Sequence, residues 1–205
     1  MKNYLIRILL FSLIASFAIS CQKEASNEIL GAPNQQNNAL IGTWKFSFLN
    51  AKTKVEEQAT DGTDVEKAIT TSDYTSFNNK GTYVFNTTDA IGTGIAYDID
   101  VVAKTEYYIN NVLEDTFSFP FAFSLPPVNA SSKYKLVGAD SVYFSGGFLS
   151  AGIDSLQAKP IGYKFSIAGN RLTLRTNYFN TYAEDDNGVT INVKQNADIT
   201  VVLEK

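Results

Sequence analysis

A chain of 205 residues, 44% of them apolar and 19% charged, is long enough for one β domain with a sizeable core. Its net charge of −4 offers no basic stripe to displace counterions from phosphates, which excludes nucleic acid as a partner. It has no His, which removes His-based triads, His metal sites and His proton shuttles, and a single Cys, which removes any internal disulfide.

Lys2 and Arg7 form a positive start, and Leu5 to Ile19 is apolar apart from Arg7, Ser12 and Ser16. That run is short for a bilayer span and has the length of a signal-peptide core. It ends in Ala18-Ile19-Ser20-Cys21. Small residues before the sole Cys resemble the lipobox of bacterial lipoproteins. The resemblance implies a signal peptide over 1–20 and a Cys21 that carries fatty acyl chains such as palmitate and becomes the new N-terminus. More than one acyl chain anchors stably to a membrane. Cys21-Gln22-Lys23-Glu24 also resembles the export signal of Bacteroidetes surface lipoproteins. The implied location is the outer membrane of the cell, with the anchor facing either the surface or the periplasm. Residues 22–40 are polar, with Gly31, Pro33 and the run Asn34-Gln35-Gln36-Asn37-Asn38, and read together with Cys21 as a flexible tether over 21–40.

The folded domain is expected over 41–205. In Ile41-Gly42-Thr43-Trp44-Lys45-Phe46-Ser47-Phe48, three aromatic residues alternate with Thr43, Lys45 and Ser47. Period two predicts a strand over about 42–50 with Trp44, Phe46 and Phe48 on one inward face. Residues 51–72 are polar and read as a short helix around Val65–Ile69 or a long loop. A hairpin is expected at Asn78-Asn79-Lys80-Gly81, where Gly81 supplies positive φ. Ile95, Tyr97, Ile99 and Val101 alternate with polar or small residues as a half-buried strand.

Phe117, Phe119, Phe121, Phe123 and Leu125 alternate with Ser118, Pro120, Ala122 and Ser124, the strongest period-two signal in the chain. Pro120 cannot donate to a ladder, which predicts an edge strand or a bulge there, and Pro126-Pro127 should end it. Further strands are expected near 133–137, 141–145, 161–168 and 171–178. Gly169-Asn170 and Asn187-Gly188 supply hairpin turns, and Ile199, Val201 and Leu203 form a closing strand. About nine or ten short strands make an all-β protein, a barrel or alternatively a β-sandwich.

Gly-x-Trp at the first strand, a meander of hairpins and a closing aliphatic strand together resemble the lipocalin-like lipoproteins of the Bacteroidetes type. The segment Phe77–Phe85 and the hairpin Gly169-Asn170-Arg171-Leu172-Thr173-Leu174 carry the likeness. It implies an antiparallel up-and-down barrel of about eight strands that holds a small hydrophobic ligand. It also implies Trp44 as the plug of the closed end, with an Arg of the last strand stacked on it. Residues 198–205 contain no Arg, so that lock is expected to be missing.

The ligand-lining residues expected are Trp44, Phe46, Phe48, Tyr97, Phe117, Phe119, Phe121 and Phe123. Alternate apolar residues more often simply fill a core, and small barrels can be filled by their own side chains. A filled barrel would instead bind a glycan or protein partner through its loops.

Glu184-Asp185-Asp186 does not have the spacing of a calcium loop and reads as part of the following turn. Gly92-Thr93-Gly94 reads as a turn or bulge rather than a phosphate cradle. Asp140-Ser141-Val142 and Asp154-Ser155-Leu156 resemble the O-glycosylation motif of Bacteroidetes envelope proteins. Glycoside hydrolysis needs only two carboxylates, but nothing in the sequence places two acids in one cleft. The expectation is a non-catalytic protein without cofactor or metal.

Overall fold

The computed structural model describes residues 39–146, 159–186 and 188–205. The described residues form nine strands: β1 (Gly42–Asp61), β2 (Asp64–Thr75), β3 (Phe77–Phe85), β4 (Asp89–Ile109), β5 (Val112–Val137), β6 (Ser141–Phe144), β7 (Ile161–Ala168), β8 (Arg171–Asp186) and β9 (Val189–Glu204). Every pairing is antiparallel. The last strand returns to the first, with Lys45–Ala59 of β1 against Ile191–Glu204 of β9, so the sheet closes in a barrel-like ring. β2 and β3 share one position. β2 lies along the far part of β1, β3 along its start, and β4 flanks both. The ring therefore has one position fewer than it has strands. The all-β antiparallel expectation holds.

Where β2 passes into β3, Ser76 stands in for a ladder residue. Its backbone N–H donates to the Leu49 carbonyl, and its Oγ accepts from the Leu49 N–H, both at 2.8 Å. Ser76 is buried. Ser76→Ala leaves the Leu49 N–H without that acceptor and is expected to lower stability by about 1–3 kcal/mol in urea unfolding.

Three local expectations are corrected. Residues 51–72 hold neither helix nor long loop: β1 runs on to Asp61, turns at Gly62 and Thr63, and returns as β2. The polar look of this stretch arises because its inward residues are small or hydroxylated, including Ala51, Ala59 and Ala68, all buried. Asn78–Gly81 is not a hairpin, since β3 continues straight through it. Asn78 (φ 51°) and Gly81 (φ 97°) instead absorb two register shifts against β4. Pro126-Pro127 does not end its strand either. β5 runs on to Val137, and the ladder shifts register between Ile95–Val128 and Tyr97–Leu125. The edge expected from Pro120 is present: among the described residues, β5 has a strand on its second side only at Tyr134–Val137.

That last fact shapes the ring. β6 is four residues long, and β7 pairs with β8 only over Lys164–Ala168 and Arg171–Arg175. At the end bearing Trp44 every position of the ring is filled. Toward the tips of the β1–β2, β4–β5 and β8–β9 hairpins, β5 and β8 face each other as edges of a curved sheet in the order β5-β4-β2-β1-β9-β8.

The filled end is packed solid with rings. Trp44, Phe46, Tyr83, Phe85, Tyr97, Phe144 and Tyr163 are buried in one cluster with Leu172, Leu174, Val201 and Leu203. Edge-on contacts join Phe46 to Tyr97 (5.9 Å between centroids), Phe85 to Tyr134 (5.5 Å) and Phe144 to Tyr163 (5.6 Å). This geometry suits the ring quadrupoles and adds to the gain from burial.

Candidate functional site

The curved sheet presents a concave face whose rows follow from strand register, because residues directly opposite in a ladder point to the same side. One row reads Asn180, Gln195, Val55, Thr70, Thr105 and Phe117 across β8, β9, β1, β2, β4 and β5. The row nearer the plug carries Tyr178, Ala197, Thr53, Ser72, Ala103 and Phe119. The row nearer the hairpin tips carries Tyr182, Val193, Glu57, Ala68 and Tyr107. The centre of each row is mostly small, and the edges are mostly aromatic. The result is a trough with an Ala/Thr/Ser floor between a wall of phenylalanines on β5 and tyrosines on β8.

The floor hydroxyls satisfy one another, Thr53 with Ser72 at 2.6 Å and Thr70 with Thr105 at 2.9 Å. This leaves the floor apolar in effect. One polar group in the trough is less well satisfied. Gln195 Nε2 donates to the Tyr182 hydroxyl at 3.1 Å, while Gln195 Oε1 is buried without a partner among the described residues. Hairpin tips brace the open end. The Asn110 N–H donates to the Val65 carbonyl at 2.8 Å, the Val65 N–H to Asn110 Oδ1 at 2.9 Å, and Asn110 Nδ2 to Asp64 Oδ1 at 3.0 Å.

The structure separates the residues that the sequence grouped. Trp44, Phe46 and Tyr97 belong to the plug and are no more than 2% exposed. Trp44 Nε1 donates to the Leu40 carbonyl at 2.7 Å. Phe48 is a correction. The β1–β9 ladder slips between Phe46 and Phe48, and the extra residue, Ser47, reverses the alternation. Leu49 and Ala51 take the inward places, while Phe48 lies opposite Val202 with the Arg171 guanidinium 5.5 Å from its ring. No Arg of the last strand stacks on Trp44, as expected, but a lysine does. Lys205 Nζ sits 4.5 Å from the Trp44 ring, a cation–π contact.

Phe117, Phe119, Phe121, Phe123 and Leu125 do share one face, and Ser118, Pro120, Ala122 and Ser124 point away from it. Phe121, Phe123 and Leu125 lean on the core cluster, and Phe123 meets Tyr97 at 6.4 Å. Phe117, 36% exposed, meets Phe119 at 6.4 Å. The β8 tyrosines and Gln195 had no place in the sequence reading. The Asn110-Asn111 turn, both residues at positive φ, is the signal that would have aligned β4 with β5 in advance.

Glu184, Asp185 and Asp186 are the last residues of β8, where Asp185 Oδ1 accepts from the Gly188 N–H at 3.1 Å as part of the turn. Gly94, at φ 61°, marks a register shift against β5, and its N–H donates to Asn129 Oδ1 at 2.9 Å. The lipid attachment expected at Cys21, the signal peptide, the tether and the second glycosylation motif lie outside the described residues. Ser141 of the first motif is described: it is half-buried and donates to Asp140 Oδ1 at 3.0 Å.

Phenols whose ionisation the fold opposes give the protein an alkaline limit, set most by buried Tyr74, Tyr83 and Tyr163, less by half-buried Tyr107 and least by Tyr182, which is 37% exposed. Burial pushes Tyr74 up to about 12. Burial, then the Glu66 carboxylate, does the same for Tyr107, as burial, then Glu184 and Glu57, does for Tyr182. Tyr83 and Tyr163 are raised further still by burial. A phenol raised in the folded state contributes stability that is whole below its unfolded value near 10 and is lost as pH rises through the folded value. With no His to titrate, the urea midpoint is expected to stay flat from about pH 6 to 9 and to fall between about pH 10 and 12. A loss already under way between pH 6 and 8 would contradict this assignment.

No protein-family model, curated protein or solved structure matches the chain.

Proposed function

We propose that this chain is a lipid-anchored, non-catalytic protein of the bacterial cell envelope, lipocalin-like in type, that holds a small hydrophobic ligand against the Phe117–Leu125 wall. The observation that carries the reading is the division of the ring. Its Trp44 end is packed with the protein's own rings, while four phenylalanines and a leucine remain partly exposed in a line along the open edge strand. A contiguous apolar strip of this kind on a soluble domain marks a place where something docks. Floor residues that are mostly small, Glu57 and Gln195 apart, leave the ligand's body against aromatic edges. Gln195 Oε1 offers an acceptor to a hydroxyl or amide N–H at the ligand's polar end. The lipobox-like Ala18-Ile19-Ser20-Cys21 supports the anchor and the outer-membrane location.

A second reading has its own observation. Ala68, Thr105 and Ala197 on the trough floor are fully or almost fully buried, as in a barrel filled by its own side chains. That protein would bind a glycan or protein partner from outside.

Titration with N-phenyl-1-naphthylamine separates the two. The first reading expects saturable fluorescence enhancement and at least about tenfold weaker binding in Phe119→Asp, with the thermal midpoint little changed. Absence of saturable binding by the parent protein favours the filled ring.

A further inference from the structure

The outer wall of the ring carries a second, chemically opposite feature. Where β6, β7 and β8 run side by side, a shallow concavity of about 410 Å³ opens to solvent. Register lays out its walls. Lys135 lies opposite Tyr143 and Tyr143 opposite Gly162, while Ser141 lies opposite Lys164 and Lys164 opposite Arg175. Asn177 stands two residues beyond Arg175 on β8, across the notch from Tyr143.

Gly162 is the first clue. It lies inside a strand, where glycine weakens the sheet, and neither of the usual backbone reasons applies. Its φ is not in the left-handed region, and a Cβ would meet only the Val142 carbonyl oxygen, at 4.0 Å. What the missing side chain does provide is open space beside the Tyr143 ring. A glycine in a strand without a conformational need marks a point where something else approaches the backbone closely.

Charge is the second clue. Lys164 and Arg175 are directly opposite, a like-charged pair that costs stability unless an anion lies between or beside them. Of the two cations, Asp140 pairs with Lys164, through contacts of 2.8 and 3.0 Å. Arg175 has no ion pair among the described residues. Lys135 adds a third cation, 5.4 Å from the Tyr143 ring. Against these three cations stand two carboxylates, Asp140 on Lys164 and Asp198 on the Asn177 amide, so the notch keeps a small positive excess, centred on Arg175, in a chain whose net charge is −4.

We propose that this notch binds an acidic sugar residue of a glycan, carboxylated or sulfated. Its ring lies over Gly162 against Tyr143, and its anionic group takes a bidentate contact from Arg175. A planar guanidinium fork matches carboxylate and sulfate oxygens. Asn177 Nδ2 already donates to Asp198 Oδ1 and Ser141 Oγ to Asp140 Oδ1, so Asn177 Oδ1 and the Ser141 oxygen serve as acceptors for sugar hydroxyls. The site is separate from the phenylalanine trough, since these side chains project from the opposite face of the sheet.

Calorimetric titration with tetragalacturonate, a heparin tetrasaccharide and neutral maltotetraose tests it. The parent protein is expected to bind at least one acidic tetrasaccharide and not maltotetraose. Gly162→Val fills the notch and Arg175→Gln removes the fork. Each is expected to weaken that binding at least about tenfold, with the thermal midpoint and N-phenyl-1-naphthylamine binding retained. The remote charge variant Lys80→Gln is expected to bind as the parent does. The proposal is overturned if neither acidic probe binds, if maltotetraose binds equally well, if Arg175→Gln loses no more than Lys80→Gln, or if vesicles of phosphatidylglycerol bind the notch as tightly as the sugars.

Discussion

Trp44→Ala is expected to be among the most damaging single truncations, costing about 3–5 kcal/mol in urea unfolding. Three losses coincide at this side chain. It is 1% exposed at the centre of the plug, so its removal leaves a cavity lined by rings that interlock edge to face and relax poorly. Its Nε1 donor to the Leu40 carbonyl disappears, and with it the bond that ties the segment leading into β1 to the plug. Lys205, 4.5 Å above the ring, loses the surface on which the end of the chain rests. Trp44→Phe keeps much of the volume and is expected to cost clearly less. Because Trp44 is the only tryptophan, both variants are followed by far-ultraviolet circular dichroism. Equal stability of Trp44→Ala and the parent would mean that the plug does not hold the ring closed.

Gly81→Ala is the second large effect, and it acts through the backbone. Gly81 has φ 97°, and a Cβ there would lie 2.6 Å from the Gly94 carbonyl oxygen. Backbone on the neighbouring strand cannot swing aside as a side-chain tip can. The substitution therefore combines left-handed strain with a displacement of β3 from β4, and about 3 kcal/mol or more is expected. Gly94→Ala is the matched control. Gly94 has φ 61°, but its Cβ would meet nothing within 4 Å, so only the conformational cost of about 1–2 kcal/mol is expected. If the two alanine variants lose equal stability, β3 and β4 do not approach as closely as described.

How much of this was readable from residues alone depends on which side of the sheet carried a signal. Phe117–Leu125 was legible as a strand because large apolar and small residues alternate without interruption, and Pro120 announced the free edge. Residues 51–72 were not, because a trough floor is built from Ala, Thr and Ser, which give inward positions the look of a polar loop. Period counting assumes an unbroken pleat, so it misplaced Phe48 when the extra residue at Ser47 reversed the faces. Asn78–Gly81 had the residues of a turn, and the same positive φ served a bulge instead. For the site, the phenylalanine wall was visible in the sequence. Tyr178, Tyr182 and Gln195 were not, because only strand register brings β8 and β9 around to face it. The notch at Gly162 was invisible for the same reason. A glycine in a strand acquires meaning only when Tyr143 and Arg175 are seen on either side of it.

The most direct test of the central claim is native mass spectrometry of the full chain purified from its own cells, before and after delipidation, alongside Phe119→Asp. A small apolar molecule held by the phenylalanine wall predicts a non-covalent adduct on the parent protein. That adduct is removed by delipidation and is absent from the variant. The bare protein mass before delipidation, or an adduct retained undiminished by Phe119→Asp, would contradict it.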